Sequence, residues 1–531
     1  MTAEGYDYVI VGAGSAGCLL AERLSADPAC RVLLLEAGGE DSGFMVRLPV
    51  GYYRNIKNPA TARIFRTEAQ EGTAGRAVEW PRGRIVGGSS SINGLVWIRG
   101  DSRVYDRWGD QAPGWSADEA GRLFRKVEGA EGPPSQSRGA HGMLKTTRLR
   151  DRNAQAEAWM QAAAAWGLPE TEDLCAQDGP AVGRSELSIH GRWRMSSSRA
   201  HLAPVRRRPN LAVRTGALAR RVIVENGRAV GIEWLEGGAL RRADADAEVI
   251  LTAGAIQTPQ LLQLSGLGPA ETLRAAGVEV LHDMPEIGGG LQDHYQMRLV
   301  LRMKTRDSLN LQMKNPVFMA KAALDWALFA KGPLTIGAGQ IGAAARTSQA
   351  PGDWPDVQMM AMPFSCDAPG EPPHAFPGFT ALVFQCHPES RGRVDIVSDD
   401  PKADPRLRPN YLSTERDRAT IVEGVKMLRE IHAAAPFGDI LEAEVSPGPE
   451  ARTDAQILEA VRNTASTVYH PCGSVRMGAD AAAPLDPQLR VKAVDGLRVA
   501  DASVMPEIPA ANINAPVMMV AEKAAEMIRA A

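Results

Sequence analysis

The stretch STVYHPCGSVRMG, Ser466 to Gly478, places a histidine two residues before a cysteine. His470 has three possible uses: half of a metal site, a catalytic base, or a packed side chain. A neutral imidazole titrates close to working pH, so it can take the proton of a hydroxyl. The metal reading has little support, because Pro471 separates His470 from Cys472 and no other Cys/His cluster stands nearby in sequence. No metal is expected. Cys472 reads as a small packing residue, and Met477 as core.

A second chemical signal opens the chain. GAGSAG supplies Gly12, Gly14 and Gly17 in the G-x-G-x-x-G spacing, with Ser15 and Ala16 between them. Gly12 permits a tight turn, Gly14 lets a pyrophosphate approach the backbone, and Gly17 lets the following helix pack on the strand. The helix N-terminus then offers free N–H groups to phosphate. Glu36 lies 19 residues past Gly17, followed by Ala37, where an acid can bond ribose hydroxyls. A carboxylate there argues against a 2′-phosphate and so against NADP. The motif does not separate FAD from NAD. The chain lacks a G-x-S-x-G elbow, which counts against a hydrolase.

The elements that must hold these residues can be read from periodicity. DYVIV, a helix-spaced SAGCLLAERLSAD and RVLLLEAG form β-α-β, the start of a doubly wound α/β domain. LAVRTGALARRVIVENGRAVGIEWLE reads as a meander that turns at ENG. From about residue 295 to 460 the texture changes. MRLVLRMKT, DVQMMAMPF, FTALVFQCHP and GRVDIVS read as strands, interleaved with helical PVFMAKAALDWALFAKG and ERDRATIVEGVKMLREIHAAA. That pattern suggests an α+β second domain. The end of the chain returns to a strand, GLRVADAS, and a helix, PVMMVAEKAAEMIRAA.

A length of 531 residues exceeds what one core usually supports, so two domains are expected. A net charge of −3 without a long single-sign block gives no reason to expect nucleic acid. The six cysteines are scattered with no CxxC, which suits a reducing, cytoplasmic setting. The first residues show no secretory pattern. No apolar run reaches the roughly 18 residues of a membrane span, which leaves only a peripheral membrane contact open.

RGRIVGGSSSINGLVWIRGDSRVYDRW (Arg82 to Trp108) and GAIQTPQLLQLSGLGP (Gly254 to Pro269) are more specific than ordinary loops. With the glycine loop they resemble the signature segments of the glucose-methanol-choline (GMC) oxidoreductases. GGGLQDH, PESRGRVDI, RPNYLS, YHPCGSVRMG and VADASVMPEIPAANINAPVMMVAEKAA look like further family segments. The likeness is closest to the choline-dehydrogenase-like bacterial branch. It implies FAD, oxidation of an alcohol to a carbonyl, and a bipartite fold: an FAD-binding Rossmann-like domain with an α+β substrate-binding domain. The FAD domain would comprise residues 1–155, 195–295 and 462–531, and the substrate domain 156–194 and 296–461.

By the same resemblance, Gly88, Ser89, Asn93 and Gly94 would line the flavin and pyrophosphate. Arg84, Val222, Ala253, Gly254, Asp501, Ala502, Asn512 and Pro516 would complete the FAD site. Ile92 stands where some members carry a flavin-linking histidine, so non-covalent FAD is expected. Pro516 suits the first turn of the last helix, whose positive end would face the flavin.

The family's active-site pair is a histidine followed about 44 residues later by histidine or asparagine. That spacing selects His470 as general base and Asn514 as the hydrogen-bond partner of the developing alkoxide. His294 is read as structural. Gln340 appears in a place where choline-oxidising relatives carry glutamate, which implies an uncharged pocket and a neutral primary alcohol. Phe364, Val468 and Tyr469 are read as bordering that substrate. A quinone or other carrier, or O2, would take the electrons. An oxygen-using oxidase is the alternative, and a hydroxynitrile lyase with non-redox flavin a more distant one.

Overall fold

The structure, a computed structural model, describes residues 4–132, 136–149 and 152–530. The chain opens with β1 (Glu4–Val11), α1 (Ser15–Leu24) and β2 (Val32–Glu36). All five residues of β2, VLLLE, are buried, as expected of a strand covered on both faces of a parallel sheet. β3 (Leu211–Thr215), β4 (Ala217–Glu225), β5 (Arg228–Glu236), β6 (Ala239–Leu251) and β12 (Leu497–Val499) complete a seven-stranded sheet. Its order is β3-β2-β1-β6-β5-β4, with β12 also paired to β6. The β1, β2, β3, β6 and β12 contacts are parallel, and β4-β5-β6 is an antiparallel meander. Asn226 and Gly227, both at positive φ (51° and 77°), make the turn expected at ENG.

The second sheet contains β7 (Tyr295–Met303), β8 (Ile341–Ala345), β9 (Val357–Met362), β10 (Gly378–Gln385) and β11 (Leu441–Ser446), in the order β11-β7-β10-β9-β8. The short strands Ala181–Arg184 and Glu170–Thr171 extend it, and Ser466–Thr467 pairs with β7. Strand alternation gives this sheet two characters. Met297, Leu299 and Leu301 point into a core with Ile421, Val425 and Leu428 of α4 (Glu415–Ala433). The α4 N-terminus is capped by Thr414, whose hydroxyl accepts the N–H of Asp417. On the other face Met360, Leu382 and Phe384 form a small cluster, and Gln296 and Arg298 line a cavity.

Two further helices complete the parts used below. α2 (Gly254–Leu264) follows β6, and α5 (Asn514–Arg529) is the last helix, packed against α1. The apolar α3 (Pro316–Phe329) lies at the surface with Val317, Leu324, Leu328 and Phe329 exposed. No helix among the described residues is long and apolar enough to cross a membrane.

Candidate active site

One cavity runs between the two sheets, from the glycine loop to His470. At one end lie Gly12, Gly14, Ser15, Ala16, Glu36, Ala37 and Arg84. Gly14 is the N-cap of α1 and the helix has no side-chain cap. A Cβ built on Gly14 would meet only the Thr252 carbonyl oxygen, at an ordinary contact distance of 3.9 Å. Gly12 and Gly17 differ. At Gly12 (φ +109°) a Cβ would sit 2.6 Å from the Thr252 carbonyl oxygen, and at Gly17 it would sit 1.9 Å from that of Gly12. Those glycines close the turn and seat the helix, while Gly14 leaves room for a ligand.

Glu36 ends β2 in the cavity wall. Its carboxylate accepts the N–H groups of Ala13 (3.0 Å) and Gly38 (2.8 Å). Burial nevertheless raises its pKa to about 7. A group of that kind gains from bonding ribose hydroxyls, in either protonation state. Gly88, Ser89, Ile92, Asn93 and Gly94 line the cavity centre. Arg194, missed by sequence reading, is buried beneath them and donates to Asn93 Oδ1 (2.7 Å) and the Ser90 carbonyl (3.1 Å). Ala253, Gly254, Asp501, Ala502 and Asn512 are also in the wall. Asp501 holds that region together, accepting from Gly254 N (2.8 Å), Thr258 Oγ1 (2.6 Å) and Ser503. α5, like α1, points an N-terminus without a side-chain cap at the cavity, with Asn514 and Val517 in the wall. Two open helix N-termini, a glycine cradle and a buried carboxylate fit a dinucleotide such as FAD.

Four expected positions lie elsewhere. Val222 is turned into the core of β4, and its N–H donates to Ser265 Oγ (2.8 Å). Ala217, Leu218 and Ala219, at the start of the same strand, line the cavity instead. Gly17 and Pro516 are buried in helix packing, behind the residues that reach the cavity. Gln340 is buried away from it. Its backbone pairs with Ala361 and Ser185, while its amide atoms have no partner.

At the other end stands His470, 6 % exposed. Its segment runs antiparallel to the LQDH segment. Tyr295 pairs with Thr467, Val468 N donates to the His294 carbonyl (2.9 Å), and Gln292 and Cys472 exchange backbone bonds (2.9 Å each). Between them Asp293 Oδ1 accepts the N–H of His470 (2.8 Å), and Tyr411 donates to Asp293 Oδ2. Burial raises the Asp293 pKa to about 6. Tyr469, at φ +69°, turns the chain sharply just before the base, and Arg82 holds its carbonyl (2.8 Å). A non-glycine residue in that region is strained, and here the strain coincides with the aiming of His470.

The ring contacts define a hydrogen-bond chain. His294 Nε2 lies 3.3 Å from the Cys386 carbonyl, His294 Nδ1 lies 3.0 Å from His470 Nδ1, and His470 Nε2 lies 3.0 Å from Asn512 Nδ2. A carbonyl only accepts, so His294 carries its proton on Nε2 and is bare on Nδ1. His470 must then carry its proton on Nδ1, which leaves the Nε2 lone pair facing Asn512 and the cavity. Burial pushes His294 down to about 3. Burial, then His294 and Arg82, hold His470 well below the usual histidine range. Both rings are neutral near pH 7.

Two readings change as a result. His294, read as structural, touches the base directly. The partner of His470 is Asn512 rather than Asn514, whose Oδ1 accepts from Ser15 Oγ (2.8 Å) at the glycine loop. Asn512 precedes Ile513, the N-cap of α5, and Asn514 is the first helical residue, so the two asparagine side chains reach different partners. Cys472 is buried in the core and turned from the cavity, as is Met477.

Val468, Tyr469, Phe364, Met360, Met362 and Leu382 line the space in front of His470. Sequence reading missed the two polar residues of β7 there, Gln296 and Arg298. Strand alternation from His294 could have found them. Among the described cavity-lining residues the only acids are Glu36 and Asp501, both at the nucleotide end. The expectation of an uncharged substrate pocket rested on Gln340 and fails with it, because Arg298 puts a cation in the wall.

A Rossmann-type cradle joined to a buried neutral histidine under an antiparallel sheet defines a nucleotide-dependent oxidoreductase. GMC oxidoreductase family profiles match residues 6–296 and 388–521, and the chain belongs to that family of FAD flavoproteins, which acts on CH–OH donors. It is 37 % identical over 528 residues to an alcohol dehydrogenase [acceptor] of Pseudomonas putida, covering 98 % of this chain and 95 % of that one. It is 38 % identical over 532 residues to an oxygen-dependent choline dehydrogenase of Vibrio vulnificus, covering 99 % and 94 %. Among solved structures, pyridoxine 4-oxidase from Mesorbium loti superposes with a TM-score of 0.90 at 32 % identity, over 99 % of each chain.

Proposed function

We propose that this protein oxidises a primary alcohol to the aldehyde, with FAD held non-covalently in the cradle and His470 as the general base. The observation that carries the reading is the His470 Nε2 lone pair, presented to the same cavity that the glycine loop lines. FAD bound there supplies a two-electron acceptor for the hydride of the alcohol carbon. The residues of this chain do the rest. Met360, Met362, Phe364, Leu382 and Val468 exclude water from the reacting end. His470 Nε2 takes the hydroxyl proton. Asn512 Nδ2 donates to the oxygen as negative charge develops on it, without itself ionising. His294 holds the base in the productive tautomer.

Non-covalent attachment is supported by the lining itself. His470 is the one histidine among the described cavity residues, and it is already bonded on both nitrogens. Choline is disfavoured, because among the described residues a quaternary ammonium would meet no carboxylate at the substrate end and would face Arg298. A carrier such as a quinone, in line with the likeness to an alcohol dehydrogenase [acceptor], or O2, in line with that to an oxygen-dependent choline dehydrogenase, takes the electrons.

The test is anaerobic bleaching of the purified yellow protein by a panel of primary alcohols, followed by re-oxidation with oxygen or a quinone analogue. Flavin released on denaturation identifies non-covalent binding. Protein without flavin, or flavin that no alcohol reduces, would overturn the proposal.

A further inference from the structure

Arg298 sits on the cavity face of β7, with its side chain in the cavity wall. Its Nε and Nη1 are buried and have no hydrogen-bond partner among the described residues. Its one hydrogen bond to a described residue is a long one, Nη2 to Cys366 Sγ at 3.8 Å. No carboxylate pairs with it among the described residues. The hydroxyl oxygen of half-buried Tyr53 is itself buried and stands by the same Cys366 thiol, with no nitrogen or oxygen partner among the described residues. Phe364 fixes the Tyr53 ring edge-on at 5.6 Å. A half-buried guanidinium with two buried, unpartnered nitrogens is unfavourable unless an anion arrives.

The register places this pair relative to the base. His294 and Arg298 lie on the same face four residues apart, which is about 13 Å along a strand. Gln296 lies between them, tied to the Thr467 carbonyl (2.8 Å). The space between is walled by Met360, Met362, Leu382 and Val468, an apolar waist with a base at one end and donors at the other.

We infer that the substrate is an alcohol whose far end carries a carboxylate, bound by the Arg298 guanidinium and the Tyr53 hydroxyl. A guanidinium fork matches the two oxygens of a carboxylate. The apolar waist takes an alkyl or aryl spacer, which makes ω-hydroxy acids and hydroxymethyl-aryl acids the substrate class. This inference rests on the alcohol-oxidising reading above and gives that reading its specificity.

The experiment compares 6-hydroxyhexanoate and 4-(hydroxymethyl)benzoate with their methyl esters and with choline, on the holoenzyme, by anaerobic flavin reduction. The acids are expected to show a KM lower than their esters by about 10–150-fold, the range of a charge-assisted bond, with similar kcat. Arg298→Leu should collapse the acid-to-ester ratio of kcat/KM, and Arg298→Lys should restore part of it. Binding of hexanoate, which carries no hydroxyl, is read separately by calorimetry and should be lost in Arg298→Leu. If esters and acids are used equally and hexanoate binds neither protein, the carboxylate site is wrong while alcohol oxidation stands. If hexanoate binds in an Arg298-dependent way but no alcohol reduces the flavin, the site stands and the proposed reaction falls.

Discussion

Replacing His294 with leucine tests the tautomer chain at its least obvious member. The substitution keeps a buried side chain under Phe384, whose ring lies 4.9 Å from that of His294. It removes the acceptor for His470 Nδ1–H, now at 3.0 Å. Leaving that buried N–H without a partner costs about 1–3 kcal/mol. The proton can escape the cost by moving to Nε2, where Asn512 Oδ1, buried and without a partner, would accept it after the amide rotates. The base would then have no lone pair toward the substrate. At about 1.4 kcal/mol per factor of ten, the limiting rate of flavin reduction should fall roughly 5–150-fold. His294→Asn supplies an amide oxygen and should recover most of the loss. The assay is anaerobic stopped-flow reduction at saturating alcohol, with a thermal melt confirming that each variant folds. A leucine variant within twofold of the parent would refute the chain. Equal losses in the leucine and asparagine variants would mean that His294 only packs.

Three further outcomes follow from the geometry. Asn512→Ala should slow flavin reduction with FAD retained, whereas Asn514→Ala should weaken FAD retention through its Ser15 contact; dialysis and stopped-flow reduction separate the two. Gly17→Ala, whose Cβ would meet the Gly12 carbonyl, should cost about 1–3 kcal/mol of stability in a denaturant melt. Gly14→Ala should fold normally and lose FAD. The rate of reduction should fall at acid pH as His470 takes up a proton; because burial holds its folded pKa below the ordinary value, the half-point should lie under pH 6.5 in a pH–rate profile.

Much of this site was legible in the sequence because its parts obey local rules. The glycine loop, Glu36 and the β-α-β order follow from spacing and periodicity. The residues that line the cavity around Gly88 and Asp501 came from whole segments of family likeness. What failed was direction at single-residue scale. Asn512 and Asn514 lie two residues apart on either side of Ile513, the N-cap of α5, and no spacing rule says which one faces His470. Val222 was placed by family likeness, and Ala217 to Ala219, a few residues earlier on the same strand, line the cavity in its stead. His294 and Arg298 acquire meaning only once β7 is laid beside Thr467, a long-range pairing across more than 170 residues of chain.

The central claim is that His470 takes the alcohol proton. His470→Ala holoenzyme, reduced anaerobically by the best alcohol found, measures it most directly. FAD should remain bound, because His470 lies at the far end of the cavity from the glycine loop. Its rate of reduction should drop by roughly 10²–10⁴. A variant that binds FAD and is reduced at the parent's rate would contradict the claim.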